Sequence, residues 1–182
     1  MKKKIIGIFV CMLLIFTLLP INATAGDEEN PEIEDESWQI WDLIKVFNII
    51  SAWFSNDDVN LNVSIKMASI KPRNFFASTV LWRYNGVDYF ASFQDNKYYF
   101  GDNTNTLLPW VYKDTTGTLE TDKNIITIIV PLNEIGNPGE GEQLMNAWAM
   151  THWSGYLGLN FHYPLDRAPD WVKWGKNYTI QF

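Results

Sequence analysis

Cysteine is almost missing from this 182-residue chain, which has one, Cys11, inside an apolar N-terminal run. A lone thiol excludes an intramolecular disulfide framework and any paired-cysteine metal site. Histidine is nearly as scarce, at two residues, His152 and His162. With Asp166 these histidines could make a ligand set, but their spacing matches no HExxH pattern. Basic residues number 14 against 21 acidic ones, a net charge of −7. A surface of that sign repels phosphate backbones, so nucleic acid is not an expected partner. No G-x-G-x-x-G or P-loop order occurs, and the glycine-bearing stretch Gly136 to Gly141 carries Glu140, which would repel a phosphate.

The N-terminus is the most ordered pattern present. Lys2, Lys3 and Lys4 precede an apolar run from Ile5 to Leu19 that ends at Pro20. Asn22-Ala23-Thr24-Ala25 follows, with small residues in an A-x-A arrangement. That sequence reads as a secretory signal over 1–25, cleaved after Ala25, and places the protein outside the cell or on its surface. An uncleaved anchor is the alternative, although the apolar run is shorter than the roughly 20 residues a membrane helix needs. Cleavage would remove Cys11 and three lysines, leaving 157 residues with a net charge of −10. A chain of that length is enough for one domain with its own core.

Asp27 to Glu36 (DEENPEIEDE) is dense in carboxylate, and the reading for 26–37 is a flexible acidic spacer. From residue 38 to 182 the dominant signal is period-two alternation broken by turn residues, as in half-buried antiparallel strands. Leu61, Val63, Ile65 and Met67 alternate with polar residues and pair back onto Ile49 to Ser55. Asn85-Gly86 suits a two-residue type I′ turn, which sets Trp82 opposite Tyr89 and Arg83 opposite Asp88. Asp95-Asn96 then turns the chain so that Phe93 meets Tyr98. Ile125 to Val130 is β-branched enough for a strand covered on both faces. Only Trp38 to Phe47 has any helical claim. The expected fold class is all-β, an antiparallel sandwich of Ig-like or jelly-roll-like type with about eight or nine strands.

Chemistry-bearing signals are weak. Ser154 lacks the leading glycine of a nucleophile elbow. Glu120, Asp122, Glu134, Glu140 and Glu142 are numerous enough for a glycosidase pair, but all fall at turns, where acids are common. Asn56-Asp57-Asp58 and Asp102-Asn103-Asn105 offer oxygen ligands to a structural calcium without fitting an EF-hand loop. Nine tryptophans are the compositional oddity. Trp53, Trp82 and Trp153 fall on strands and read as core. Trp110, Trp171 and Trp174, together with Tyr163, fall beside proline-bearing loops, where a flat ring can stack on a sugar face or dock a protein.

Ile49 to Met67, Asn124 to Leu132 with Ile135-Gly136, and Ala168-Pro169-Asp170 before the strand at Asn177 to Phe182 together resemble a β-sandwich domain of exported archaeal and bacterial proteins. The pattern is similar to that of DOMON-like and xylanase-associated carbohydrate-binding modules. The resemblance implies a non-enzymatic module that binds a glycan. Some members of that group bind haem through methionine and histidine, which would point to Met67, Met145 or Met150 with His152 or His162. The reading from another class is a structural protein of the cell envelope whose partner is another envelope protein. An exported hydrolase is the third.

Overall fold

Asn85 and Gly86 adopt φ of 48° and 80°, the pair of left-handed residues that a type I′ turn requires. They join Phe76–Tyr84 (β4) to Val87–Gln94 (β5) in a computed structural model that describes residues 26–35, 46–70, 76–102, 112–153, 164–170 and 173–182. The register is the one that the dipeptide imposes, with Tyr84 opposite Val87, Arg83 opposite Asp88 and Trp82 opposite Tyr89. Asp95 and Asn96, also at positive φ, return the chain into Lys97–Asp102 (β6), where Phe93 faces Tyr98.

A second antiparallel system forms from Ile33–Glu34 (β1), Ile49–Asn56 (β2), Asn60–Met67 (β3), Lys113–Glu120 (β7) and Ile125–Pro131 (β8). Gln143–Trp153 (β9), Pro164–Ala168 (β10) and Tyr178–Thr179 (β11) complete the chain. Strand neighbours run in one continuous path, β1-β2-β3-β8-β7-β6-β5-β4-β9-β10, with β11 paired to β9. Every pairing among the described residues is antiparallel. The sheet curls into a half-barrel. The all-β antiparallel expectation is met, with eleven strands among the described residues because β1, two residues long, and β10, whose register shifts between Pro164 and Asp166, do not show as alternation.

Curling brings the two flanks of the path over one core. Phe54 of β2 meets the edge of Trp82 of β4 at 5.7 Å between centroids and lies 5.7 Å from Tyr178. Trp82 stacks in turn on Tyr89, at 6.1 Å and 21°. All four rings are buried, and a fully buried Phe-sized side chain contributes about 1.5–3 kcal/mol. The outermost strands are also stitched together by polar contacts. The Ile49 N–H donates to Asp166 Oδ2 at 2.7 Å, and the Thr151 hydroxyl donates to the Phe47 carbonyl at 2.8 Å. These bonds tie β2 to β9 and β10, which lie far from it along the hydrogen-bonded path.

The acidic segment departs from the sequence reading. Over residues 31–35 it is docked, with Ile33 wholly buried and β1 paired to β2. Three interactions account for this. The Ile33 side chain enters the core, Glu32 accepts the Phe54 N–H at 2.9 Å, and Glu28 ion-pairs with Lys66. Ile125 to Val130 is a central strand between β3 and β7, but Thr127 and Ile129 are only half-buried, so just one of its faces is fully covered.

Candidate functional site

Alternation on β9 sets Ala147 and Ala149 against the core and turns Trp148 to the opposite face. Small residues inside let β9 pack closely, and the large ring is displaced outward. Leu81 of β4 and Phe90 of β5 share that outward face with Trp148 and Met150, and together they form a second apolar cluster. At one end of the face Thr79, Ser92 and His152 are buried, bonded to one another through Thr79 Oγ1 at 2.8 and 2.9 Å. Towards the Arg83 end the face opens into a hollow of about 280 Å³, lined by Leu81, Phe90, Trp148, Trp174, Arg83, Asp88 and Asn146 among others.

A β-bulge shapes the hollow. The pairing of β4 with β9 jumps from Leu81↔Trp148 to Arg83↔Met145, which leaves one extra residue on β9. Asn146 sits at that break with φ of 52°, a conformation that an asparagine tolerates better than most residues. Opposite it, Arg83 grips Asp88 through two bonds, Nε to Oδ1 at 2.7 Å and Nη2 to Oδ2 at 2.8 Å. Both side chains are partly exposed, so the pair contributes little stability. Its geometry nevertheless fixes a donor and acceptor array at the rim.

Trp174 reaches the hollow from the segment before β11. The Arg167 guanidinium of β10 lies over both rings, 4.7 Å from the Trp148 centroid and 5.5 Å from that of Trp174. Its Nη1 donates to the Asp170 carbonyl at 2.9 Å and its Nη2 to the Lys173 carbonyl at 3.3 Å. Burial draws the Arg167 pKa below the usual arginine value, and nearby Asp170 opposes the shift. Behind the ring, the Gly175 N–H donates to the Ala147 carbonyl at 2.8 Å. A Cβ on Gly175 would stand 2.5 Å from the Glu32 carbonyl oxygen, so only glycine permits this crossing. Trp174 is left 56 % exposed, on a backbone that is fixed at both sides.

Of the aromatic candidates read from sequence, Trp174 is therefore at the site and open to solvent. Trp110, Trp171 and Tyr163 lie outside the described residues, as do His162, Ser154, the N-terminal segment 1–25 and residues 38–45 of the helical candidate over 38–47, whose last two residues form a turn. Trp53 and Trp82 are core, as alternation implied. Trp148, Arg167 and Asn146 were not singled out from sequence, although Ala147-Trp148-Ala149 carries a usable signal of small residues flanking a large one within a strand.

The remaining chemical candidates have other employment. Asp57 Oδ1 accepts the N–H groups of Val59 and Asn60, which makes an Asx turn. Glu142 accepts from the Tyr84 hydroxyl and from the Gly139 N–H, both at 2.6 Å, and these bonds hold its carboxyl below the usual range. Glu120 pairs with Lys123 and Glu134 with Lys113. Met67 and Met150 are buried in different clusters on opposite faces of the sheet. Compared with protein-family models, curated proteins and solved structures, the chain finds no match.

Proposed function

We propose that this protein is an exported, non-enzymatic binding module whose ligand is a glycan, held at the hollow beside Trp148 and Trp174. In this reading the two flanks of the half-barrel serve as the layers of a sandwich-like scaffold, and the site lies on the outer face of one of them. The observation that carries the reading is the pair of indoles sharing one buried guanidinium, next to a rim of Arg83, Asp88 and Asn146. Sugars offer apolar C–H faces to flat rings and hydroxyls to a small number of fixed polar groups, and this surface supplies both. A hollow of about 280 Å³ lies just below the range of small-molecule sites, which starts near 300 Å³, and suits one sugar ring of a longer chain.

The exposed Trp174 ring favours this reading over an envelope protein with no small ligand, in which that ring would be covered. The test is binding of the released domain to a panel of soluble and insoluble polysaccharides, followed by tryptophan fluorescence. Quenching or a blue shift with at least one polysaccharide, lost on Trp174→Ala, supports the reading. An unchanged spectrum across the panel counts against it.

A further inference from the structure

Gly26 is buried, and a methyl group in place of its hydrogen would overlap both carboxylate oxygens of Glu32. Its Cα thus lies against that carboxylate, and its nitrogen, one bond from the Cα, is no more than about 5 Å from the same oxygens. Glu32 is itself 9 % exposed, and its carboxylate accepts the Phe54 N–H at Oε2 and is also held by its own backbone N–H. The Lys176 ammonium points instead to the Pro31 carbonyl, at 3.5 Å. A buried carboxylate without a close cation is costly, and an adjacent ammonium would offset that cost.

We propose that removal of the leader after Ala25 places a new α-ammonium, that of Gly26, in an ion pair with Glu32, pinning the mature N-terminus into the wall formed by β1 and β2. The inference rests on the cleavage position read from Ala23-Thr24-Ala25 and is independent of any glycan. Hydrolysis of the Ala25–Gly26 bond by a leader peptidase adds the hydroxyl of water to the Ala25 carbonyl carbon and a hydrogen to the Gly26 nitrogen. That nitrogen then takes up a proton at neutral pH. Before cleavage the same nitrogen is a neutral amide and Lys176 is the cation that acts on Glu32, so the charge at Gly26 appears only on maturation. The other titratable groups acting on Glu32 are Asp27, Lys176 and Tyr178. Burial pushes the Glu32 carboxyl up to about 7 while Gly26 carries an amide, consistent with an acid awaiting a cation.

The same crossing carries the site. The Lys176 N–H donates to the Glu32 carbonyl at 2.7 Å, and the Gly175 N–H to the Ala147 carbonyl, so Glu32 and Ala147 anchor the segment that presents Trp174. Maturation would stiffen that segment.

The full chain is expressed in a secreting host, the released product is weighed intact, and its amines are reductively methylated over a range of pH. The expected product begins at Gly26, its α-amine titrates at least one unit above the ordinary value of about 7.7–8.0, and it reacts at pH 7.5 about tenfold more slowly than in Glu32→Gln. If Glu32→Gln yields no folded product, the titration of the parent protein alone decides. An ordinary pKa at a free Gly26 overturns the ion pair, whereas a product beginning at any other residue overturns the cleavage position and the proposal with it.

Discussion

Arg167 and Trp174 are joined twice. The guanidinium lies 5.5 Å from the indole centroid, and the same group donates to the Lys173 carbonyl one residue before the ring. One side chain therefore sets both the ring's electrostatic partner and the path of the backbone that carries it. The sharing extends to Trp148 at 4.7 Å, so a single buried cation organises the aromatic part of the hollow.

Replacing Arg167 by lysine keeps the charge and removes the planar fork that serves Asp170 and Lys173 together. The expected cost is about 1–3 kcal/mol, which for a domain of this size lowers Tm by roughly 2–12 °C. Tryptophan emission should also shift red as Trp174 loosens. Thermal denaturation of the purified variant, with the spectrum recorded before heating, checks both.

Asn146 separates shape from chemistry at the rim. Asn146→Gly keeps the positive φ of the bulge, so stability should stay within about 1 kcal/mol, while the amide is lost from the hollow. Asn146→Val should cost about 1–2 kcal/mol, because a β-branched residue is strained at that φ. Denaturant midpoints on both variants distinguish these outcomes. Glycan affinity should fall in the glycine variant even though its fold is intact.

The pH response of Glu32 depends on what Gly26 carries. With the Gly26 nitrogen acylated, burial raises the carboxyl from 4.5 to about 7. A folded pKa above the unfolded one means that the neutral form is the stabilising one. Its contribution is full below about pH 4.5 and is lost as pH rises towards 7. The loss should be on the order of 1–2 kcal/mol after allowing for the solvent that still reaches the group. Tm measured from pH 4 to 8 on N-acetylated protein should decline across that window, and Glu32→Gln should flatten the decline.

Much of the local architecture was legible because short-range chemistry determines it. Asn85-Gly86 has one good turn conformation, and that turn fixes Arg83 against Asp88 and Trp82 against Tyr89 without reference to the rest of the chain. The docking of Ile33 was not legible. A single apolar residue among carboxylates carries no periodicity, and what orders it is a contact across 22 positions of sequence, the Phe54 N–H held by Glu32. The curl of the sheet was hidden for the same reason, since Asp166 reaches Ile49 across 117 positions of sequence. Trp174 could be picked out by its loop setting, whereas Arg167 could not. Its role comes from two rings and two carbonyls that only the fold assembles.

The most direct test of the glycan-binding account is a titration of the released protein with the best-binding polysaccharide, run beside Trp174→Ala and Trp148→Ala. Each substitution should weaken binding at least fivefold, about 1 kcal/mol of stacking, and Trp174→Ala should leave Tm nearly unchanged because that ring is exposed. Equal affinity in the parent protein and Trp174→Ala would contradict the account.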